Sequence, residues 1–381
     1  MINAKRDKQF LQQLLASADI QINGENPWDI RVHDQRFYAR VVAQQALGLG
    51  ETYMEGWWEC AQLDEFFYRC LRTQLAQAIL KKKSWLWFVA YRHLQQWLKQ
   101  LGNQQTKKKA LQVGKHHYDI GNALYAAMLD STMSYTCAYW KESHNLEQAQ
   151  LAKLKLICEK LYLQPGMRIL DIGCGWGGLA KYAATHYGVH VVGITISEQQ
   201  YQYAKVSCKD LPIEIRFQDY RDVKDKFDRI CSIGMFEAVG YKNYRHYMEV
   251  IHHCLNDAGL CLLHTIGGNI SQTHSNEWIN KYIFPNGMIP SIKQIGQACE
   301  GLLVMEDWHN FGADYAKTLI AWHERFNAQW HTLQGQYNEA FRRAWNYYLL
   351  SCAGAFKARD LQLWQIVFSK QGMLKGYNSL R

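Results

Sequence analysis

The chain of 381 residues is 48% apolar and 20% charged with only 5 prolines, which excludes a disordered or low-complexity polypeptide and leaves room for two or three domains. In the most apolar part of the N-terminal third, Lys83 and Arg92 bracket just eight uncharged residues, against the roughly 20 that a membrane-spanning helix requires. Eleven scattered cysteines with no CxxC pair fit buried thiols in a reducing cytoplasm better than a disulfide framework or a structural zinc site, so no metal is expected.

The opening MINAKRDKQFLQQ has no apolar core after its charges, so no secretory leader is expected. Residues 1–101 read as a smaller, mostly helical domain. Phe10, Leu11, Leu14 and Leu15 recur at helical spacing, and a polar turn follows at 23–29. Gly48-Leu49-Gly50 is expected to break the next helix before the cluster Tyr53, Trp57, Trp58, Phe66, Phe67 and Tyr68. From Phe66 to Tyr118 there is no Asp or Glu. That stretch carries +11 of a net +9, so the rest of the chain sums to −2. Its lysines are interleaved with Trp85, Trp87, Phe88 and Trp97, the side chains that settle at a lipid interface. An anionic membrane surface fits this composition, and so does a solvated basic helix whose tryptophans are core; the residues alone leave the two even. Basic plus aromatic composition also suits nucleic acid, but no nucleic-acid motif accompanies it, so none is expected as a partner. Residues 102–115 read as a basic linker.

Residues 116–381 form the expected catalytic domain, and from about 150 the pattern alternates helix and strand. The spacing predicts helices over 149–163, 179–187, 197–208 and 244–255, and strands over 168–172, 190–194, 213–217, 227–233 and 260–264. Beyond about 285, more helix is expected. The fold class is α/β: a Rossmann-like domain behind a smaller, mostly helical one.

The chemistry centres on the segment RILDIGCGWGGLA. A strand leads to Asp171, then Gly173, Cys174, Gly175, Trp176, Gly177 and Gly178, and then a helix. Such a loop lets a ligand approach backbone at the switch point of a parallel sheet. A dinucleotide site would place an acid about 20 residues on, where this chain has Thr195, Ser197 and Gln200 instead. Those three are expected to face a ribose, and Gln218 with Asp219 an adenine. A glycine turn serving only packing is the plainer alternative. An adenosyl ligand without a pyrophosphate fits better, which means S-adenosyl-L-methionine as co-substrate.

DIGCGWGG, GITIS, SIGMFEAVG and YTCAYW (residues 135–140) together resemble the cyclopropane fatty acid synthases and the related mycolic acid cyclopropanases. NPWDIRVHDQRFYARVVAQQALGLGETYMEGWW and YYLLSCAGAFKARDLQLWQ extend the resemblance to the phospholipid-acting members and over essentially the whole chain. It implies methylene transfer to the cis double bond of unsaturated phospholipid acyl chains. It further implies a homodimer, and a cytoplasmic enzyme peripherally associated with the inner face of the membrane. Relatives that leave a methyl branch or a methylene group are the nearest alternative. A membrane-binding protein with a vestigial fold is the alternative from another class.

Attack of an alkene on a sulfonium methyl leaves a carbocation, so the chemistry needs a cation-tolerant pocket, a base and exclusion of water. Tyr135, Trp140, Trp176, Phe236, Tyr241, Tyr282, Phe284 and Tyr315 are candidates for the pocket, although any single aromatic is more often core. Glu237 follows the fourth sheet strand and His264 ends the fifth. The resemblance implies that Cys137, Glu237, His264, the backbone of Ile266 and Tyr315 hold a bicarbonate ion as general base, with Glu237 orienting His264. Cys352 is a further catalytic candidate, with a buried hydrophobe as its plainer reading. Tyr135 and Thr136 are expected at the methionine end of the donor. Asp171 is expected either to reach the donor's amino-acid group or to support the loop.

Overall fold

The computed structural model describes residues 4–73, 105–107 and 121–381. Two compact units emerge. One comprises residues 4–73, Ser275–Pro285 and Trp330–Asp360, and the other takes the remaining described residues.

The larger unit is built on a seven-stranded sheet. Its strands are β1 (Arg168–Ile172), β2 (His190–Thr195), β3 (Ile213–Phe217), β4 (Phe227–Ile233), β5 (Leu255–Gly268), β6 (Val304–Asn310) and β7 (Leu361–Ser369). They lie in the order β3-β2-β1-β4-β5-β7-β6. The first five are parallel, while β7 pairs antiparallel with both β5 and β6. Order reverses between β1 and β4, which opens a crevice at the carboxyl edge where ligands bind in such sheets. Alternation of side chains along each strand splits the core in two. Leu170, Ile172, Cys261 and Leu263 pack with the helix Tyr244–Cys254 on one face, and Ile169, Leu260 and Leu262 pack with Leu146–Lys160 and Gly178–Tyr187 on the other.

β1, β3 and β4 match the sequence expectation end to end, but β5 runs well past 260–264 at both ends. Antiparallel pairing with β7, from Leu260↔Ser369 to Gly268↔Leu361, extends it beyond its parallel neighbour. β6 and β7 themselves were not expected. β7 is buried on both faces, so no alternation marks it. β6 carries Glu306 and Asp307 in its middle and shifts register there, as an edge strand can.

The smaller unit packs the helices Ala4–Ala16, Arg36–Met54 and Leu63–Arg72 with Glu277–Tyr282 and Glu339–Lys357. Residues 275–285 and 330–360 thus cluster with the N-terminal helices, not with the sheet that surrounds them in sequence. The contacts explain it. Arg343 donates to the carbonyls of Tyr53 (2.6 Å) and Trp58 (3.1 Å), Lys281 and Tyr282 both reach Glu51, and Lys357 pairs with Asp64. Gly48-Leu49-Gly50 does not end its helix, which runs to Met54 with a kink at Gln45. A Cβ on Gly48 would lie 2.6 Å from the Arg40 carbonyl, and one on Gly50 2.3 Å from the Trp278 ring, so these glycines serve close packing. Among the described residues no helix is long and apolar enough to cross a membrane. Most of the basic segment, including Lys81, Lys82 and Lys83, lies outside the described residues.

Candidate active site

Every expected catalytic or donor-binding residue except Cys352 belongs to the larger unit, and most follow a strand at its carboxyl edge. The glycine loop leaves β1 through Gly173, Gly175 and Gly177, all with positive φ. They do different work. A Cβ on Gly173 would strike Met235 (2.9 Å), on Gly177 the Cys208 sulfur (2.8 Å), and on Gly178 the Thr132 carbonyl (2.2 Å). Nothing lies within 4 Å of a Cβ on Gly175. Three glycines are therefore required by the protein's own packing, and Gly175 is where backbone faces open space that a ligand can approach. Cys174 and Trp176 point inward. Trp176 is 3% exposed, lies 4.8 Å from the Tyr125 ring at a tilt of 51° and donates to Asn122, so it packs the loop.

Thr195, Ser197 and Gln200 are also buried, and they satisfy one another. The Thr195 hydroxyl bonds the Gln200 carboxamide (2.9 Å), and Ser197 caps the helix Glu198–Ser207 by accepting from the Gln200 N–H. Asp219 caps the short turn Tyr220–Asp222 and pairs with Arg221 at 3.4 Å, while the half-buried Gln218 bonds the Thr195 carbonyl through its backbone.

Across the crevice, the segment 134–140 is clamped from two sides. From the helix Ala313–Ala328, the Thr318 hydroxyl accepts from the Ala138 N–H (3.1 Å) and the Trp140 indole (2.9 Å), and Asp314 accepts from the Trp140 N–H. The ring of Tyr135 lies 5.2 Å from Trp322, which Tyr315 meets edge-on at 6.0 Å. From the helix Leu146–Lys160, the Gln150 carboxamide donates to the carbonyls of Ser134 and Thr136, and the Lys153 ammonium donates to the Thr136 hydroxyl at 3.1 Å. Cys137 is fully buried with its thiol directed at the Ala138 carbonyl. Burial, followed by Asp314, pushes that thiol well up, so it is a donor and not a thiolate.

Glu237 lies in the turn after β4, and its Oε1 accepts from the Ile266 N–H at 2.6 Å. Burial raises this carboxyl above the usual carboxylate range. His264, 1% exposed on β5, meets a different partner: the Gln365 carboxamide of β7 donates to its Nδ1 at 3.3 Å, which leaves the ring proton on Nε2. Burial, then Lys153 and Lys160, hold the imidazole neutral by pushing its pKa well down. The expected contact from Glu237 to His264 is thus replaced by Glu237 on Ile266 and Gln365 on His264, and the Ile266 N–H is already engaged. Glu237 Oε2 and His264 Nε2 are both buried with no hydrogen-bond partner among the described residues.

Asp171 is 2% exposed, and burial pushes its carboxyl up to about 7 even though Cys231 and Lys153 favour its charged form. Of the expected cation-shielding aromatics, Phe236 is stacked on Tyr244 inside the core, and Tyr282 and Phe284 belong to the smaller unit. Cys352 also lies there, on Glu339–Lys357, where burial pushes its thiol up to about 12, the wrong direction for a nucleophile.

Sequence reasoning passed over Gln150, Lys153 and Gln365. Each had a signal: a polar residue on the buried stripe of a helix or inside an apolar strand.

A family model described as "Mycolic acid cyclopropane synthetase" matches residues 105–366. The "Cyclopropane-fatty-acyl-phospholipid synthase" of Escherichia coli (strain K12) is 54% identical over 362 residues, covering 94% of this chain and 92% of that one. A "Probable fatty acid methyltransferase" of Pseudomonas putida is 37% identical over 67% of this chain and 68% of its own. Among solved structures, the cyclopropane synthase MmaA2 from Mycobacterium tuberculosis superposes with a TM-score of 0.65 at 30% identity, over 68% of this chain and 98% of that one. A mycolic acid cyclopropane synthase complexed with SAH and CTAB gives 0.64 at 30% identity, over the same shares of the two chains.

Proposed function

Because the chain belongs to the cyclopropane synthase family, an S-adenosylmethionine-dependent class of methyltransferases, we propose that it adds a methylene group across the cis double bond of acyl chains in membrane phospholipid. The observation that carries this reading is the pair of buried, unpartnered polar atoms, Glu237 Oε2 and His264 Nε2, set at the carboxyl edge by strands β4 and β5. The near-full-length likeness to the Escherichia coli enzyme supports phospholipid as the acceptor.

The donor lies against the backbone at Gly175, with Tyr135 and Thr136 at its methionine end and Asp171 supporting the loop. Gln218 and Asp219 border its adenine, and Thr195, Ser197 and Gln200 act by shaping the ribose side. Attack of the alkene on the sulfonium methyl expels the neutral thioether and places a positive charge on the acyl chain. Loss of a proton from the new methyl then closes the ring. Tyr135 and Tyr315 present ring faces that tolerate the cation, and burial excludes water that would trap it as an alcohol.

A bicarbonate ion fits the two open atoms, since it offers an O–H to Glu237 Oε2 and oxygens to His264 Nε2–H. When bound, it would supply the base that takes the proton. Glu237 holds the strand at Ile266, Gln365 fixes the tautomer of His264, and the Tyr315 hydroxyl is a further donor for this set, while the neutral Cys137 thiol is engaged at the Ala138 carbonyl. We assign Cys352 a packing role. A peripheral location on the inner, anionic face of the membrane, and a homodimer, complete the reading.

Unsaturated phospholipid vesicles incubated with protein, S-adenosylmethionine and bicarbonate should gain one CH2 per turnover by mass spectrometry and lose vinyl protons by NMR. His264→Ala and Glu237→Ala should each lower kcat by roughly 10^2–10^4-fold. A CH2 gain with the alkene retained would replace ring closure by branching chemistry. Turnover that is indifferent to added bicarbonate in CO2-free buffer would remove the ion from the mechanism.

A further inference from the structure

Lys153 is a lysine the chemistry above does not use, yet only 2% of it is exposed, and its carbon stem runs through the core side of the helix Leu146–Lys160. A buried ammonium costs several kcal/mol unless its surroundings compensate. Here the compensation is specific. The ammonium donates to Thr136 Oγ1 at 3.1 Å, and it faces Asp130, Cys137 and Asp171. Asp130 in turn holds the turn below the donor segment, accepting from the N–H groups of Thr132 and Ser134. Thr136 has little freedom on its other side: its methyl lies 2.6 Å from where a Cβ on Gly234 would be, and Gly234 begins the turn that carries Glu237. One cation therefore touches the donor segment, faces the acid before the glycine loop, and stands within electrostatic reach of His264.

We propose that Lys153 is a positioning residue for the reaction: its ammonium fixes the Tyr135–Thr136 segment and supplies a buried positive charge within electrostatic reach of Asp171 and His264. The inference rests on the site assignment made above. With the charge in place, Asp171 is held toward its ionised form, which offsets the charge of a sulfonium donor. The imidazole of His264 stays neutral, so its Nε2–H donates without a second proton on the ring. Burial pulls Lys153 itself down to about 8, so it remains mostly charged at neutral pH. The charged groups that face His264 are Lys153 and Lys160, both on Leu146–Lys160. Lys160 is itself tied to His309 Nδ1 at 3.0 Å and to Asp307 at 3.8 Å. Glu237 is engaged two residues along β5, at Ile266.

The test compares Lys153→Met, Lys153→Arg and Thr136→Val in the full chain. Binding of S-adenosylhomocysteine is measured by calorimetry, and kcat on unsaturated phospholipid vesicles is measured from pH 5.5 to 9. Lys153→Met should weaken S-adenosylhomocysteine at least tenfold. It should also move the acid limb of the kcat profile to higher pH, because Asp171, held at about 7, and the His264 imidazole both take a proton more readily once relieved of the cation. Lys153→Arg should return the limb toward its original position. Thr136→Val removes the acceptor but keeps the cation and its electrostatic partners Asp130 and Asp171, so it serves if the methionine variant does not fold. It should weaken the same binding several-fold and add little in the Lys153→Met background. The proposal is overturned if Lys153→Met lowers only the melting temperature, leaving donor affinity and the pH limb unmoved. His264→Ala distinguishes the two levels: full turnover there sinks the site assignment, whereas lost turnover beside an unmoved Lys153→Met profile sinks only the role of Lys153.

Discussion

At the scale of single residues, the glycine loop shows why a motif is not a uniform binding surface. Gly178 is needed because the Thr132 carbonyl would lie 2.2 Å from its Cβ, a contact with rigid backbone that only a shift of the loop can relieve. Gly178→Ala should therefore cost roughly 1–3 kcal/mol in urea unfolding, the usual scale for overpacking. Gly175 stands apart, with φ +56 and open space around its Cβ. Gly175→Ala should cost only about 1–2 kcal/mol of conformational strain, while calorimetry with S-adenosylhomocysteine shows the larger loss, at least tenfold. Equal effects of the two variants on binding would show that the donor does not approach at Gly175. The motif was plain in the sequence, but this division of labour was not, because it depends on Met235, Cys208 and Thr132, which reach the loop from elsewhere. The same reason hid Lys153 and Gln365. A lysine inside a helical stripe and a glutamine inside LQLWQIVF acquire meaning only from the segment 134–137 and from His264, which tertiary structure brings to them.

At the scale of elements, the parallel part of the sheet was legible because each strand is short, apolar and bounded by turn residues. β1, β3 and β4 begin and end where the pattern says. The antiparallel pair at the far edge was not legible. β7 reads as a continuation of the apolar helix before it, and β6 carries charges that local propensity disfavours in a strand. The expected helix break at 48–50 failed for a related reason: the glycines serve packing against Trp278 and the Arg40 carbonyl, while the kink falls at Gln45. Gly354 repeats that logic on the helix Glu339–Lys357. A Cβ there would lie 2.6 Å from the Asp64 carbonyl and from Phe67, on the helix Leu63–Arg72. Gly354→Ala should push these two helices apart and lower stability by roughly 1–3 kcal/mol, read as a lower urea midpoint with unchanged slope. An unchanged midpoint would mean that the helices do not approach as closely as this.

At the scale of the whole molecule, the charge is the feature that fold alone does not explain. A net +9 with +11 of it between Phe66 and Tyr118 leaves a chain that is otherwise slightly acidic. A parallel sheet has no use for such a run, whereas the proposed docking on an anionic bilayer does. Each lysine near such a surface contributes about 1 kcal/mol, and the attraction decays over a Debye length of about 10 Å at 0.1 M salt. Replacing Lys81, Lys82 and Lys83 by glutamine should then remove about 3 kcal/mol of attraction, on the order of a 100-fold loss in partitioning onto vesicles rich in anionic lipid. Cosedimentation at 0.1 M salt measures it directly. At 0.5 M salt, where screening removes the same term, wild type and variant should bind alike through what remains, the insertion of apolar and aromatic side chains. If the two proteins already partition equally at 0.1 M, these three lysines do not serve the membrane, and the basic segment has another partner. A variant that is weaker by the same factor at both salt concentrations would show that the replacement disturbed folding, since a loss of charge attraction alone must fade as salt rises.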